Sequence, residues 1–237
     1  MKKLTLTASA STAPAATETR ATIRLPLRAL MVPMLLGVVL SGCASHKDAP
    51  ATMYDLGPLR SSNGSNASVT STIPPLTVAD VTTPSWLDND NMQFRLLYEN
   101  DQKPRPYASS RWNMSPPQLI TQRVKTRLSD AGNTVLSAAD GAVNVPILRI
   151  EVDDFLQRFT SATASDGHVV IRASLFSGRL LVAQRKFEQQ RLAPSADAAG
   201  GAVALASATD EVVDELMRWL GTIPDTAFPR IAIPFTR

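Results

Sequence analysis

Leu40-Ser41-Gly42-Cys43 limits what this chain can fold into more than any other feature, because it places the only cysteine of 237 residues after a basic and then apolar run. Arg20, Arg24 and Arg28 form the positive part. Ala29 to Leu40 is an apolar stretch of 12 residues, long enough for a signal peptide and short for a membrane-spanning helix. The small side chains of Ser41 and Gly42 leave the bond before Cys43 open to a peptidase. This is the pattern of a bacterial lipoprotein signal over residues 1–42, with Cys43 acylated on its thiol and on the freed amino group. More than one acyl chain anchors stably, at about 0.8 kcal/mol per buried methylene. Ala44, where an aspartate would retain the protein at the inner membrane, makes the expected location the outer membrane, facing the periplasm. No second thiol exists in the chain, so the remaining 195 residues must be held by one hydrophobic core without an internal disulfide.

The leader also carries the chain's excess positive charge. The net charge of +3 includes Lys2, Lys3, Arg20, Arg24 and Arg28 against Glu18, and beyond residue 42 there are 19 basic and 20 acidic residues. The mature chain is therefore near neutral, which removes nucleic acid as an expected partner.

Residues 43–52 read as a lipidated tether, small and polar after the cysteine. Tyr54-Asp55-Leu56 is a brief extended segment ended by Gly57-Pro58, and Arg60 to Pro75 is a Ser/Asn/Thr/Gly connector. Alternation predicts a strand over Leu76 to Val81, with Leu76 and Val78 on one side. A second is expected over Phe94 to Glu99, with Phe94, Leu96 and Tyr98 on one side. Pro104-Arg105-Pro106 is expected to break regular structure.

Ser115 as N-cap, Pro116 and Pro117 in the first turn and Ile120, Val124, Leu128 and Ala131 at helical spacing predict a helix stopped by Gly132. Gln122, Arg123, Lys125 and Arg127 fall on its polar side. A short strand is expected at Thr134 to Ser137. Leu148, Ile150 and Val152 alternate with Arg149, Glu151 and Asp153, and the change of phase before Phe155 and Phe159 predicts a bulge near Asp154. Val169, Ile171, Ala173 and Leu175 predict the next strand, joined through Ser177-Gly178 to an antiparallel partner over Leu180 to Leu192. Leu205, Thr209, Val212, Leu216 and Trp219 share one face of a last helix, opposite Asp210, Glu211, Asp214 and Arg218. The fold class is α+β, a mainly antiparallel or mixed β-sheet with two α-helices packed on one face.

Catalytic motifs are sparse. There is no Cys/His set at metal-binding spacing, no Gly-x-Ser-x-Gly, no Walker A loop and no Gly-x-Gly-x-x-Gly, so no metal or cofactor is expected. His46 lies in the tether, and His168, on the parity opposite Val169, is expected at a surface or turn. Glu151 and Asp153 lie on one side of a strand about 7 Å apart, a spacing a glycan-acting carboxylate pair can use; an exposed strand face with a bulge is the simpler account, because no second acid/base partner or sugar-binding aromatic cluster accompanies them. Trp219 is expected in the core, while Trp86 and Trp112, beside loops, are either core lids or partner contacts.

Six segments together resemble one family. They are Tyr54-Asp55-Leu56-Gly57-Pro58, Pro84-Ser85-Trp86-Leu87, Met92-Gln93-Phe94-Arg95-Leu96-Leu97-Tyr98, Tyr107-Ala108-Ser109-Ser110-Arg111-Trp112, the Pro117 to Leu128 helix, and Ser174-Leu175-Phe176-Ser177-Gly178-Arg179 before Phe187. In order and spacing they are similar to the ABC-type transport auxiliary lipoproteins, including the lipoprotein of the paraquat-inducible system, over residues 53–221. The resemblance implies a non-enzymatic subunit working beside an ABC permease and ATPase and an Mce-type substrate-binding protein, with no catalytic residues to carry over. It also implies an α/β sandwich with a mainly antiparallel sheet. Contact with the membrane is expected through the lipid anchor, and self-association into a homo-oligomer is left open.

Residues 222–237 lie outside the resemblance. Pro224, Pro229 and Pro234 forbid a helix there, and Phe228, Ile231, Ile233 and Phe235 suit an extended segment on a sheet edge of this domain or of a partner. Two other functions remain as rivals: a lipoprotein that assembles or plugs an outer-membrane β-barrel, and a lipid-anchored glycan-acting enzyme using Glu151 and Asp153.

Overall fold

The computed structural model describes residues 50–59 and 73–224, all within one compact unit. Its elements are β1 (Thr52–Tyr54), β2 (Leu76–Val78), β3 (Asn91–Leu96), β4 (Pro104–Trp112), α1 (Pro116–Asp130), β5 (Val135–Ser137), β6 (Ile147–Phe159), β7 (Ser165–Ser177), β8 (Leu180–Leu192) and α2 (Ala198–Leu220). This is the expected α+β class, with eight strands in one mixed sheet.

The spine is the antiparallel run β6–β7–β8, three strands of 13 residues each. Leu148, Ile150 and Val152 are buried while Arg149, Glu151 and Asp153 are exposed. The register shifts between Val152 and Asp154, which brings Phe155 and Phe159 back to the buried side, as the phase change predicts. The β7–β8 turn is two residues long, with Gly178 at φ 58°, a value that favours glycine. The other edge of β6 is shared: β2 pairs parallel with its start, and β3 parallel with its end. β4 joins β3 antiparallel, and β1 and β5 flank β4 and β2.

Helix α2 covers the sheet face that carries Val169, Ile171 and Phe187. Leu205, Val212 and Leu216 are at most 1% exposed, and Trp219 meets Phe187 edge-on with ring centroids 5.7 Å apart. Asp197 caps the helix by accepting from the Gly200 amide. The first turns approach the sheet closely: a Cβ on Gly167 would stand 2.5 Å from the Leu205 nitrogen and 2.6 Å from the Ala204 carbonyl carbon, so any side chain there displaces helix backbone. α1 packs beside α2, with Ile120, Val124 and Leu128 buried and Ser115 as its N-cap.

Several local expectations are corrected. The first predicted strand ends at Val78, and Leu76, Thr77 and Val78 are all buried, because β2 lies between β5 and β6 and both its faces are covered. β3 starts at Asn91 and stops at Leu96, where its partner β6 ends at Phe159; Leu97 and Tyr98 belong to the turn that follows. Pro104-Arg105-Pro106 does not break structure but opens β4. Proline is tolerated there because β1 pairs with β4 only from Ser110, so this half of β4 is a sheet edge on one side. Ala131 is exposed and caps α1 instead of joining its buried stripe. The connector is described only from Ile73 onward, and its residues 60–72 lie outside the described residues.

Candidate functional site

The sheet face turned away from α2 carries a mesh of opposite charges spanning β3, β6, β7 and β8. His168 is its centre: Nδ1 lies 3.1 Å from Asp154 Oδ2 and Nε2 3.1 Å from Glu188 Oε1. Asp154 also faces Arg95 at 3.7 Å, Glu188 takes the Lys186 ammonium at 2.8 Å, and Arg158 donates to Asp166. His168 is thus 7% exposed inside the sheet, correcting the surface or turn expected from its parity. Both ring nitrogens are occupied by carboxylates, which orients the imidazole and leaves neither nitrogen open to serve as a base toward a substrate.

Glu151 and Asp153 do lie on one exposed strand face. Arg172, opposite on β7, places its Nη2 3.1 Å from a carboxylate oxygen of each. The shared guanidinium keeps both carboxylates as charge partners, the arrangement of a solvated strand face.

A second polar cluster is buried. Arg123 on α1 and Asp210 on α2 are each 6% exposed and pair at 3.2 Å, and Arg123 also donates to the carbonyls of Leu56 and Gly57. Both stand on helix faces that periodicity marks as solvated. One guanidinium therefore ties both helices to the segment that follows β1. An open cleft of about 520 Å³ lies at this junction, lined by Asp55, Gly57, Met114, Arg123 and Thr126. Sequence periodicity missed this cluster, since Arg and Asp read as solvent-facing wherever a polar stripe allows it.

Acid titration has a defined sign here. The Glu188 carboxyl is held down to about 2, first by its hydrogen bond from Lys186 and then by that from His168. The Asp197 carboxyl is also lowered, by the Gly200 amide and then the Ser195 hydroxyl. A carboxyl lowered on folding contributes stability that is present above the unfolded value, near 4.5, and lost as pH falls through the folded one. We expect a urea midpoint that is steady from pH 7 to 5 and falls from about pH 4.5 toward 2. Glu188→Gln should flatten part of that slope, and an unchanged slope would show that this cluster does not report on folding.

The other sequence-predicted site residues are placed as follows. Trp112 is 1% exposed and packs against Phe155 with centroids 5.5 Å apart, so it is a core residue and its ring is not open to a partner. Trp86 is half-buried in the turn after Pro84, against the core. Leu40, Ser41, Gly42, Cys43, Phe228, Ile231 and Ile233 lie outside the described residues. Among the described residues no helix is long and apolar enough to cross a membrane, and no group of His, Cys, Asp and Glu could hold a metal ion.

Comparison with known proteins agrees with this fold. No curated protein matches the chain. A solved structure from Xanthomonas campestris, assigned to a family of unknown function, is 20% identical with a TM-score of 0.56, covering 72% of this chain and 91% of that one. An uncharacterised protein of solved structure is 15% identical with a TM-score of 0.58, covering 73% of this chain and 99% of that one. At these identities the likeness concerns the fold. The sequence profile described as "ABC-type transport auxiliary lipoprotein component" matches residues 54–217, from the end of β1 to the last turn of α2. The chain belongs to the family of ABC-type transport auxiliary lipoprotein components.

Proposed function

We propose that this chain is the non-enzymatic, lipid-anchored accessory subunit of an envelope ABC transporter of Mce type, moving lipids or other apolar compounds between the two membranes. The observation that carries this reading is the family match over 54–217, which takes in nearly the whole described body and begins shortly after Cys43. On this reading residues 1–42 are removed, Cys43 is acylated and held in the outer membrane, 43–52 form the tether, and 53–221 face the periplasm and dock on the Mce-type substrate-binding protein. ATP is hydrolysed by the partner ATPase. The engagement of Glu151 and Asp153 by Arg172 supports a binding role over a glycan-acting one.

Cys43→Ala should leave either an unprocessed precursor or a domain no longer fixed to the outer membrane. Incorporation of labelled fatty acid that persists in the variant would overturn lipidation at Cys43. Co-purification from detergent extracts should recover a permease, an ATPase and an Mce-type protein; recovery of an outer-membrane β-barrel instead would replace this reading. The 222–237 segment, with Phe228, Ile231 and Ile233, is proposed as one docking element and half-buried Trp86 as another. Truncation after Thr222 should therefore give a folded domain that recovers less of the transporter.

A further inference from the structure

The distal half of the β7–β8 hairpin differs in character from the rest of this near-neutral domain. From Arg172 to Phe187 the chain holds four basic residues, Arg172, Arg179, Arg185 and Lys186, and no acid. Arg172 and Lys186 are taken up by Glu151, Asp153 and Glu188, whereas Arg179 and Arg185 make no ion pair among the described residues. Arg149, on the neighbouring strand, makes none either, and its guanidinium lies 4.9 Å from the centre of the Phe176 ring. All three arginines are exposed.

Between these cations the turn presents apolar side chains to solvent. Leu180 is 67% exposed and Leu181 46%. The loop entering β6 at this same end of the sheet, residues 141–146, adds Val143 at 76%. On the Arg149 face of the sheet, short of the turn, an open cleft of about 550 Å³ is lined by Arg149, Arg172 and Phe176 together with the acidic Asp80 and Glu151. Two exposed leucines at the turn, with Arg179 in it, Arg149 over Phe176 on one sheet face and Arg185 over Phe187 on the other, form a small amphipathic point.

We infer that this hairpin tip is a contact site for an anionic phospholipid bilayer, with Leu180 and Leu181 entering the headgroup layer and Arg149, Arg179 and Arg185 meeting lipid phosphates. The charge complementarity selects an anionic surface, at about fivefold in partitioning for each cation near it. The geometry selects a bilayer over a folded protein, since a stable protein interface needs about 800 Å² on each side, while a turn of two leucines enters a lipid interface alone.

The test uses the full chain carrying Cys43→Ser, so its result is independent of acylation. Leu180→Cys is labelled with an environment-sensitive nitrobenzoxadiazole dye and mixed with vesicles of equimolar phosphatidylglycerol and phosphatidylcholine, or of phosphatidylcholine alone. The label should shift to the blue and brighten only on the anionic vesicles, and Leu181→Cys should report the same. Leu192→Cys, 85% exposed at the far end of β8, should not respond. Arg179→Glu with Arg185→Glu should raise the lipid concentration for half-maximal response at least tenfold. No response at position 180 overturns the proposal. Equal responses at 180 and 192, an equal response on phosphatidylcholine alone, or indifference to the two charge reversals would each do the same.

Discussion

Replacing Leu216 by aspartate is expected to unfold the domain, while replacing its neighbour Glu215 by alanine should leave the melting temperature nearly unchanged. Leu216 is 0% exposed near the C-terminal end of α2, on the face that packs against the β6–β7–β8 spine. Loss of a buried leucine costs about 2–5 kcal/mol, and an unpartnered carboxylate in its place adds a desolvation penalty. Together these rival the whole stability of a typical domain, about 5–15 kcal/mol. Glu215 is half-exposed and accepts one hydrogen bond from Gln189, so its removal should cost less than about 1 kcal/mol. Thermal unfolding followed by circular dichroism compares the two directly. Equal melting temperatures would contradict the placement of α2 on the sheet.

Arg123→Ala should be the next most damaging change, by about 3–5 kcal/mol, because it leaves the Asp210 charge buried without this partner and takes the donors from the Leu56 and Gly57 carbonyls. The pair joins α1 to α2, 87 positions apart in the chain, so the loss should appear as lowered global stability in urea and as earlier proteolysis near residues 55–59. Replacing both charges, Arg123→Met with Asp210→Leu, should recover part of the loss, since neither ion is then stranded. A double variant as unstable as the sum of the two single ones would show that the pair is not coupled.

Both predictions depend on a distinction between patterns that are local and contacts that are not. The two helices, the β6–β7–β8 spine and the bulge before Phe155 are legible from the chain because each depends on which side of a periodic element is apolar, and that period lies within a few consecutive residues. The lipid anchor proposed at Cys43 likewise rests on one contiguous run, Arg20 to Cys43, which lies outside the described residues. Where strand ends are set by partners, the local pattern fails. β3 stops where β6 stops, and β4 begins at two prolines because one of its sides is still an edge.

Polar burial is the other class of decision made by tertiary structure. Arg123, Asp210 and His168 stand on positions that a polar stripe labels as solvent-facing, and each is buried because its partners come from distant elements: Asp210 and the Leu56 and Gly57 carbonyls for Arg123, and Asp154 and Glu188 for His168. The sequence by itself determined the types of the long elements and their apolar faces. Strand order, strand ends and the buried charges were decided only when the sheet closed, because a charge leaves water only where a partner from another part of the chain offsets its lost hydration.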